Sequence, residues 1–372
     1  MKKVILFVGI VLFICILFAE HADASGLESL NNSVKEIKNN VNEDTLERME
    51  QLGVGTEVQS YADISLTSVL SLIGDTFSET ASKPISSGIL LAAVILLSSL
   101  LESYSFSLRY VDTKEVMNAV TSLMIISVLV TPLSGLIQTS LDAVKGAANL
   151  ILLYAPVMVG IMVFSGQIVQ SGGYYATVTA ACQGIAQLSS IVFAPMLNLF
   201  LALSVSSAIS DRVKLSGVCD LLSRLMKWTL TFALSVFTAI LSIQGIAANA
   251  ADTVGSKAAR FALSSLIPIV GGSVSEAYKT INGSVNLLRS GLGVFVIIAA
   301  AVTFLPIILE IILWRVCTAA SKTIADTFGT ASASAVLDAI SNVLSVLFAV
   351  VVTMLSVFLI SSGAMAAIGG VS

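Results

Sequence analysis

The chain has 372 residues, of which 11% are charged and 56% are hydrophobic, and its mean hydropathy is +0.95. Soluble domains carry about 25% charged residues, so this composition excludes an ordinary soluble protein. The net charge of −4 gives no sign of a nucleic-acid-binding surface, and the single histidine is His21, near the N-terminus. We therefore predict no catalytic residue, no metal ligand and no cofactor.

The chain begins like a secretory signal peptide, assigned to residues 1–24. Two lysines precede an uncharged apolar run at residues 4–18, and Ala22 and Ala24 are small residues at the two positions that signal peptidase reads. Cleavage after Ala24 would leave Ser25 and the following segment outside the cytoplasm. An uncleaved membrane anchor is the alternative.

Residues 25–83 form an acidic region that differs from the rest of the chain, with ten acidic and four basic residues. Its apolar residues recur every three or four positions and predict one helix face; they are Leu27, Leu30, Val34, Ile37 and Val41. The pattern indicates a partner-binding helix or short coiled coil outside the membrane. A helix lying on its own domain or on the bilayer fits equally well.

Residues 84–372 are predicted to form a polytopic membrane domain. Its uncharged segments are Pro84–Leu101, Val116–Leu141, Gly146–Ser210, Trp228–Ala251, Ser290–Leu309 and Ala339–Ser372. The third would reach about 98 Å as one helix, so we divide it at Gln170–Gly173. The predicted fold is all-α with about six to eight transmembrane helices, and six full crossings with two broken segments are favoured.

The two broken segments carry most of the unusual residues. In Tyr174–Ser210, Pro195 indicates either one long kinked helix or a re-entrant hairpin. In Phe261–Ser275, Pro268 with Gly271 and Gly272 favours a re-entrant element lining a polar cavity, and a tightly packed, kinked helix pair is the alternative. Broken helices of this kind build the central sites of many transporters.

Several polar residues lie within the predicted spans. Glu310 follows Pro306 by one helical turn and is a candidate functional carboxylate, or an interfacial glutamate paired with Arg315. Asn198 and Gln244, with Gln183 and Gln187, are more typical of hydrogen bonds between membrane helices than of ligand binding.

The positive-inside rule gives a weak orientation. If neither broken segment crosses, eight lysines and arginines fall on the cytoplasmic side and five outside. If Tyr174–Ser210 crosses and Phe261–Ser275 does not, the numbers are six and seven.

Three sequence blocks resemble the stage III sporulation protein AE family of endospore-forming bacteria. They are Leu215–Ser223, Leu241–Gly245 and Phe261–Gly272. The resemblance implies a multi-pass protein of the mother-cell membrane around the forespore, within a channel or secretion-like complex that links the two cells. It also implies that other stage III A proteins, including a cytoplasmic ATPase, and the forespore protein Q are its partners. The family supplies no catalytic residues.

Four functions, in three groups, remain open from the sequence. The leading hypothesis is a non-enzymatic component that forms or lines a conduit in the membrane, alone or as a homo-oligomer. The second is a non-conducting scaffold that uses residues 25–83 to recruit partners. The third is a permease resembling secondary transporters, or an intramembrane enzyme, which the missing histidine disfavours.

Overall fold

The computed structural model describes residues 43–51, 66–107, 113–164, 167–209, 216–266 and 271–367. Their elements are α1 (Glu43–Gln51), α2 (Leu66–Ser107), α3 (Thr113–Phe164), α4 (Ile168–Gln187), a π-helical segment (Leu188–Phe193), α5 (Ala194–Ile209), α6 (Ser216–Leu266), α7 (Gly271–Thr327) and α8 (Ala331–Ala367). The predicted cleavage site at Ala22, Ala24 and Ser25, the apolar face from Leu27 to Val41, and Pro268 lie outside the described residues.

Six of the described helices are long and apolar enough to cross a membrane, if α4, the π-helical segment and α5 are taken as one rod. Their apolar stretches are Ser68–Leu101, Val116–Val163, Ile168–Ser206, Gly217–Ile246, Val296–Thr327 and Ala331–Ala364. A helix satisfies every backbone hydrogen bond internally, which lipid requires of a spanning segment. The predicted all-α, multi-pass fold is confirmed for the described part of the chain.

The predicted separation between the span Val116–Leu141 and the span that begins after Gly146 is wrong. α3 runs without interruption from Thr113 to Phe164, through the charged residues that separated two predicted spans. Asp142 accepts hydrogen bonds from Lys145 at 3.3 Å and from Gln138 at 3.0 Å, on the same helix face. Such pairs one turn apart stabilise a helix, so the charges do not end it.

The predicted break at Gln170–Gly173 is also wrong, because these residues lie in the first turn and a half of α4. The chain turns earlier, between Phe164 and Ile168, where the amide of Gln167 donates to the carbonyl of Met162 at 3.0 Å. Gln170 and Ser171 are buried against the bundle, and this tertiary packing keeps the Gly-containing turn helical.

The rod from α4 to α5 is one long helix with a local π-helical turn, which was one of the two predicted forms. The π-helical segment ends two residues before Pro195. A proline within a helix lacks the amide that would bond four residues back, and inserting a π turn is a common way to accommodate the missing bond.

The predicted re-entrant element at Phe261–Ser275 is not a separate half-helix in the described residues. Phe261–Leu266 is the end of α6, and Gly271 and Gly272 are the first residues of α7. Proline and paired glycines disfavour a helix interior, which accounts for a junction between two long helices here.

α8 lies at the centre of the bundle and packs on α3, α4, α5, α6 and α7. Around it, α2 packs on α1, α3 and α7, whereas α6 packs mainly on α4, α5 and α8. In the most apolar 18-residue segments of α7 and α8, 61% and 56% of the residues are buried, whereas in that of α6 only 17% are buried. α2 and α6 are therefore peripheral helices in different sectors of the bundle.

Candidate functional site: a polar face on α2 and α3

Contacts between side chains show which parts of the helices lie at the same level. The contacts are Gly88–Cys317, Ser98–Thr121, Lys322–Asp338, Tyr174–Ser361 and Thr177–Gln244. Counting along each helix from these pairs, at about 1.5 Å per residue, places residues 75–83 of α2 level with 136–144 of α3 and 235–243 of α6. This level lies within the apolar stretch of each helix.

The outer surface of α2 is mainly polar at this level, although Phe77 and, just beyond it, Ile85 are partly exposed there. Its exposed polar residues recur every three or four positions; they are Ser71, Asp75, Ser78, Glu79, Ser82, Lys83 and Ser86. Towards the C-terminal end of α2 the outer surface becomes apolar, with Ile89, Leu97 and Leu100 more than 60% exposed. The polarity is therefore confined to the part of α2 nearer its N-terminus.

The outer surface of α3 is polar at the same level. Its exposed or half-exposed polar residues are Thr131, Ser134, Gln138, Thr139, Asp142, Lys145 and Asn149. Between Met124 and Val163, no large apolar side chain of this helix is exposed in the described structure. We call the surface formed by these α2 and α3 residues the polar face.

The short helix α1 lies beside the polar face, against α2 and α7. Arg48 donates to the hydroxyl of Thr76 at 2.8 Å and pairs with the carboxylate of Glu79 at 2.7 Å. The hydroxyls of Thr45 and Thr303 are 3.4 Å apart, and Met49 is buried. An arginine fork shared between a hydroxyl and a carboxylate fixes α1 at this level.

From Trp228 to Ile246 the outer surface of α6 carries no charged residue and is mainly apolar, although Thr231, Ser235 and Ser242 are exposed there. Its exposed apolar residues are Val218, Leu221, Leu225, Trp228, Phe232, Val236, Ile240, Ile243 and Ile246. The rings of Trp228 and Phe232 stack with their centroids 5.3 Å apart. They directly follow the basic residues Arg224 and Lys227 in α6. Aromatic and basic residues together are typical of a membrane–water boundary.

Glu310 lies at the edge of the polar face rather than beside the predicted partner. Its carboxylate lies near Trp314, one turn further along α7, and near Lys83 of α2, and among the described residues it forms no salt bridge with Arg315. The guanidinium of Arg315 instead lies 5.8 Å from the ring centre of Phe348. Pro306 is half-buried one turn earlier in α7.

Gln244 belongs to a second polar group, formed by α4, α6 and α8. Its side-chain oxygen accepts a hydrogen bond from Thr177 and approaches Gly173 closely. Nearby in α4, the hydroxyl of Tyr174 lies 3.1 Å from both the carbonyl and the hydroxyl oxygen of Ser361. Hydrogen bonds of this kind join membrane helices, which is the structural role predicted for Gln244.

Pro195 and Asn198 are exposed on α5, away from both polar groups. The amide of Asn198 donates to the carbonyl of Ala194 in the same helix, at 3.0 Å. No group of three metal-binding side chains occurs among the described residues. Sequence reasoning missed the polar face, although its three- and four-residue spacing on α2 and α3 is visible in the sequence.

The comparisons with known proteins identify one family. A sequence profile described as stage III sporulation protein AE matches residues 54–369. The stage III sporulation protein AE of Bacillus subtilis (strain 168) is 22% identical over 158 residues, which are 42% of this chain and 40% of that relative. The alignment thus spans less than half of the relative, and no solved structure matches.

The family match covers the six apolar stretches described above. It therefore joins the helical membrane domain, and not only a short motif, to a known family. The chain belongs to the stage III sporulation protein AE family, and is a multi-pass membrane protein with a role in sporulation.

Proposed function

We propose that the polar face lines a water-filled conduit in a membrane complex that connects mother cell and forespore. The observation that carries the proposal is the presence of Asp75, Glu79, Lys83, Asp142 and Lys145 on the outer surface, at a level where the outer surface of α6 carries no charged residue. A charged side chain at mid-membrane costs about 2.5–3.5 kcal/mol on insertion scales. Five such groups on one face favour contact with water or protein rather than with lipid.

The proposal includes an orientation for the bundle. If the chain crosses six times, Arg224, Lys227 and Lys322 lie at one end of the bundle. This is the side on which the positive-inside rule counts eight lysines and arginines. We infer that this end faces the cytoplasm of the mother cell. The acidic N-terminal region that precedes α1 then approaches the opposite side of the membrane, where other stage III A proteins and the forespore protein Q would meet it.

Cysteine accessibility tests the conduit. Ser82→Cys on α2 and Ser134→Cys on α3 are compared with Val236→Cys, which is the matched lipid-facing position on α6. In proteoliposomes, a charged thiol reagent that does not cross membranes should modify the first two variants and leave Val236→Cys unmodified. The unsubstituted protein, with its native cysteines, gives the background.

Flux measurements complete the test. Modification at Ser82→Cys or Ser134→Cys should lower the flux of a small fluorescent solute at least several-fold, in the protein alone or with its partners. A bundle tilted within the bilayer would also bring the polar face to one membrane surface. Modification without any change in flux would support that tilt and contradict the conduit.

The contacts of α1 favour a second candidate, a scaffold that recruits partners. Arg48 and Thr45 fix α1 on the membrane domain, so the N-terminal segment is held at a defined place. Deleting residues 25–55 should abolish assembly with partners while the membrane domain remains folded, if recruitment is the main role. Normal assembly with lost flux would instead support the conduit.

A further inference from the structure

α4 has an outer face without a partner in the described part of the chain. Ala180, Gln183, Gly184 and Gln187 are all exposed, and their spacing places them on one side of the helix. A Cβ added to Gly184 would meet no atom within 4 Å, so the space beside this face is open. We call these four residues the amide face.

The amide face lies near the middle of its apolar stretch, Ile168–Ser206. Each glutamine side chain has two N–H donors and one carbonyl acceptor. Neither Gln183 nor Gln187 makes a hydrogen bond with another described side chain or with a described backbone group. In hydrocarbon, amides without a hydrogen-bond partner are strongly disfavoured, so this face requires a polar surface against it.

The chemistry of the amide face fits a second copy of the same chain. A glutamine amide is self-complementary, because one copy can donate to its twin and accept from it at the same time. Two copies in one membrane have the same orientation, and a twofold axis along the membrane normal brings Gln183 and Gln187 opposite the same residues of the partner. Ala180 and Gly184 are four positions apart, the small-residue spacing that lets two helix backbones approach closely.

We propose that the amide face is a self-association surface, at which two copies of the chain pack α4 against α4. Within each copy α4 packs on α3 and α6, and the amide face shares no residue with the polar face or with the exposed apolar surface of α6. The dimer is therefore compatible with the proposed conduit and does not depend on it.

The test compares dimerisation of the full chain in lipid nanodiscs or mild detergent, measured by analytical ultracentrifugation. The double variant Gln183→Leu/Gln187→Leu should weaken dimerisation about tenfold or more, because it removes the hydrogen bonds between helices. Leucine is more apolar than glutamine, so membrane insertion is retained, and circular dichroism checks the helix content. The matched control, Ser235→Leu/Ala239→Leu on the exposed side of α6, should leave dimerisation unchanged.

Oxidative cross-linking in native membranes gives a second measurement. Ala180→Cys should give a disulfide-linked dimer, and Ala239→Cys on α6 should give no more than the unsubstituted protein. A monomeric wild-type chain at high density in the membrane would overturn the proposal. Equal weakening of dimerisation by both double variants, or a dimer linked through Ala239→Cys, would also contradict it. If the wild type is monomeric and Gln183→Leu/Gln187→Leu abolishes sporulation, the amide face binds a different membrane partner.

Discussion

The outer surfaces of α6 and of the α2–α3 pair differ in chemistry at the same level of the bundle. At this level α6 exposes Val236, Ile240 and Ile243, whereas α2 exposes Asp75, Glu79 and Lys83. Both helices nevertheless contain an 18-residue segment apolar enough to cross a membrane, with mean hydropathies of 1.7 in α6 and 2.2 in α2. The presence of such a segment therefore does not show which surroundings the outer surface of the rest of the helix meets.

The physical reason is the position of the apolar residues relative to the neighbouring helices. In α2, Leu91 and Ile95 are fully buried, so much of its apolar content lies inside the bundle or near its C-terminal end. In α6, most of the large apolar residues face outwards, and the inner side carries Gln244 beside buried residues such as Phe237 and Leu241. Lipid is a suitable surrounding for the outer surface of α6 and an unfavourable one for the polar face.

The largest expected effect comes from placing a new charge on each surface. Val236→Lys on α6 should make membrane insertion less favourable by about 3 kcal/mol, because its side chain faces hydrocarbon. Ser82→Lys on α2, at nearly the same level, should change insertion by less than about 1 kcal/mol if its surroundings are polar. The measurement is the fraction of chains inserted into vesicles during cell-free synthesis. Equal penalties at the two positions would show that both surfaces face lipid.

The second effect concerns the packing that holds α2 in place. A Cβ on Gly88 would lie 3.2 Å from the Cβ of Cys317, so α2 and α7 approach closely there. Gly88→Leu should destabilise the protein by about 2 kcal/mol through overpacking, measured as thermal unfolding in detergent. The control is Gly74→Leu, where a side chain meets no atom within 4 Å. Comparable loss in both variants would contradict the close α2–α7 contact.

Composition and hydropathy suffice to predict a helical membrane fold with about six to eight spans, and six of the described helices are long and apolar enough to cross a membrane. The predicted ends of the spans are wrong where charged residues lie within a helix. Asp142 and Lys145 separate two apolar runs, and in the sequence such a separation is typical of a loop. The two side chains bond to each other one turn apart, which is a local interaction. That both lie on the outer surface is a property of the tertiary structure, and it lets the helix keep the pair. The predicted span Val116–Leu141 and the one after it therefore belong to a single helix, α3, while the segment Tyr174–Ser210, predicted as broken, lies mostly in the candidate span Ile168–Ser206.

The polar face was harder to predict than any single element. The spacing of serines on α2 is visible in the sequence, but the match in level between α2 and α3 depends on contacts such as Ser98–Thr121, at 2.8 Å. The π-helical turn before Pro195 had a local signal, the proline itself. Gln183 and Gln187 were predicted to form hydrogen bonds between helices, yet only the packing of α4 shows that they point out of the bundle.

The third effect tests how firmly α1 is held beside the polar face. Arg48→Ala removes the bonds to Thr76 and Glu79 and should cost about 1 kcal/mol, because Glu79 is 64% exposed and its ion pair is screened. Hydrogen exchange should rise in α1 and stay unchanged in α8. The control, Lys145→Ala, removes a more exposed ion pair on α3 and should cost less than about 0.5 kcal/mol. Unchanged exchange in α1 would show that Arg48 does not hold it.

The smallest effect concerns the inner side of α6. Gln244→Leu removes the hydrogen bond from Thr177 and should lower stability by about 0.6 kcal/mol, the average for such bonds between membrane helices. Ser242→Ala is the matched control, since that exposed hydroxyl bonds only to the carbonyl of Thr238 in its own helix, at 2.8 Å. Thermal unfolding in detergent measures both variants. If Gln244→Leu left stability unchanged but abolished flux or sporulation, Gln244 would act in transport rather than in packing. The polar face would then have to be compared with a second polar site on the inner side of α6, and not only with the apolar outer surface of that helix.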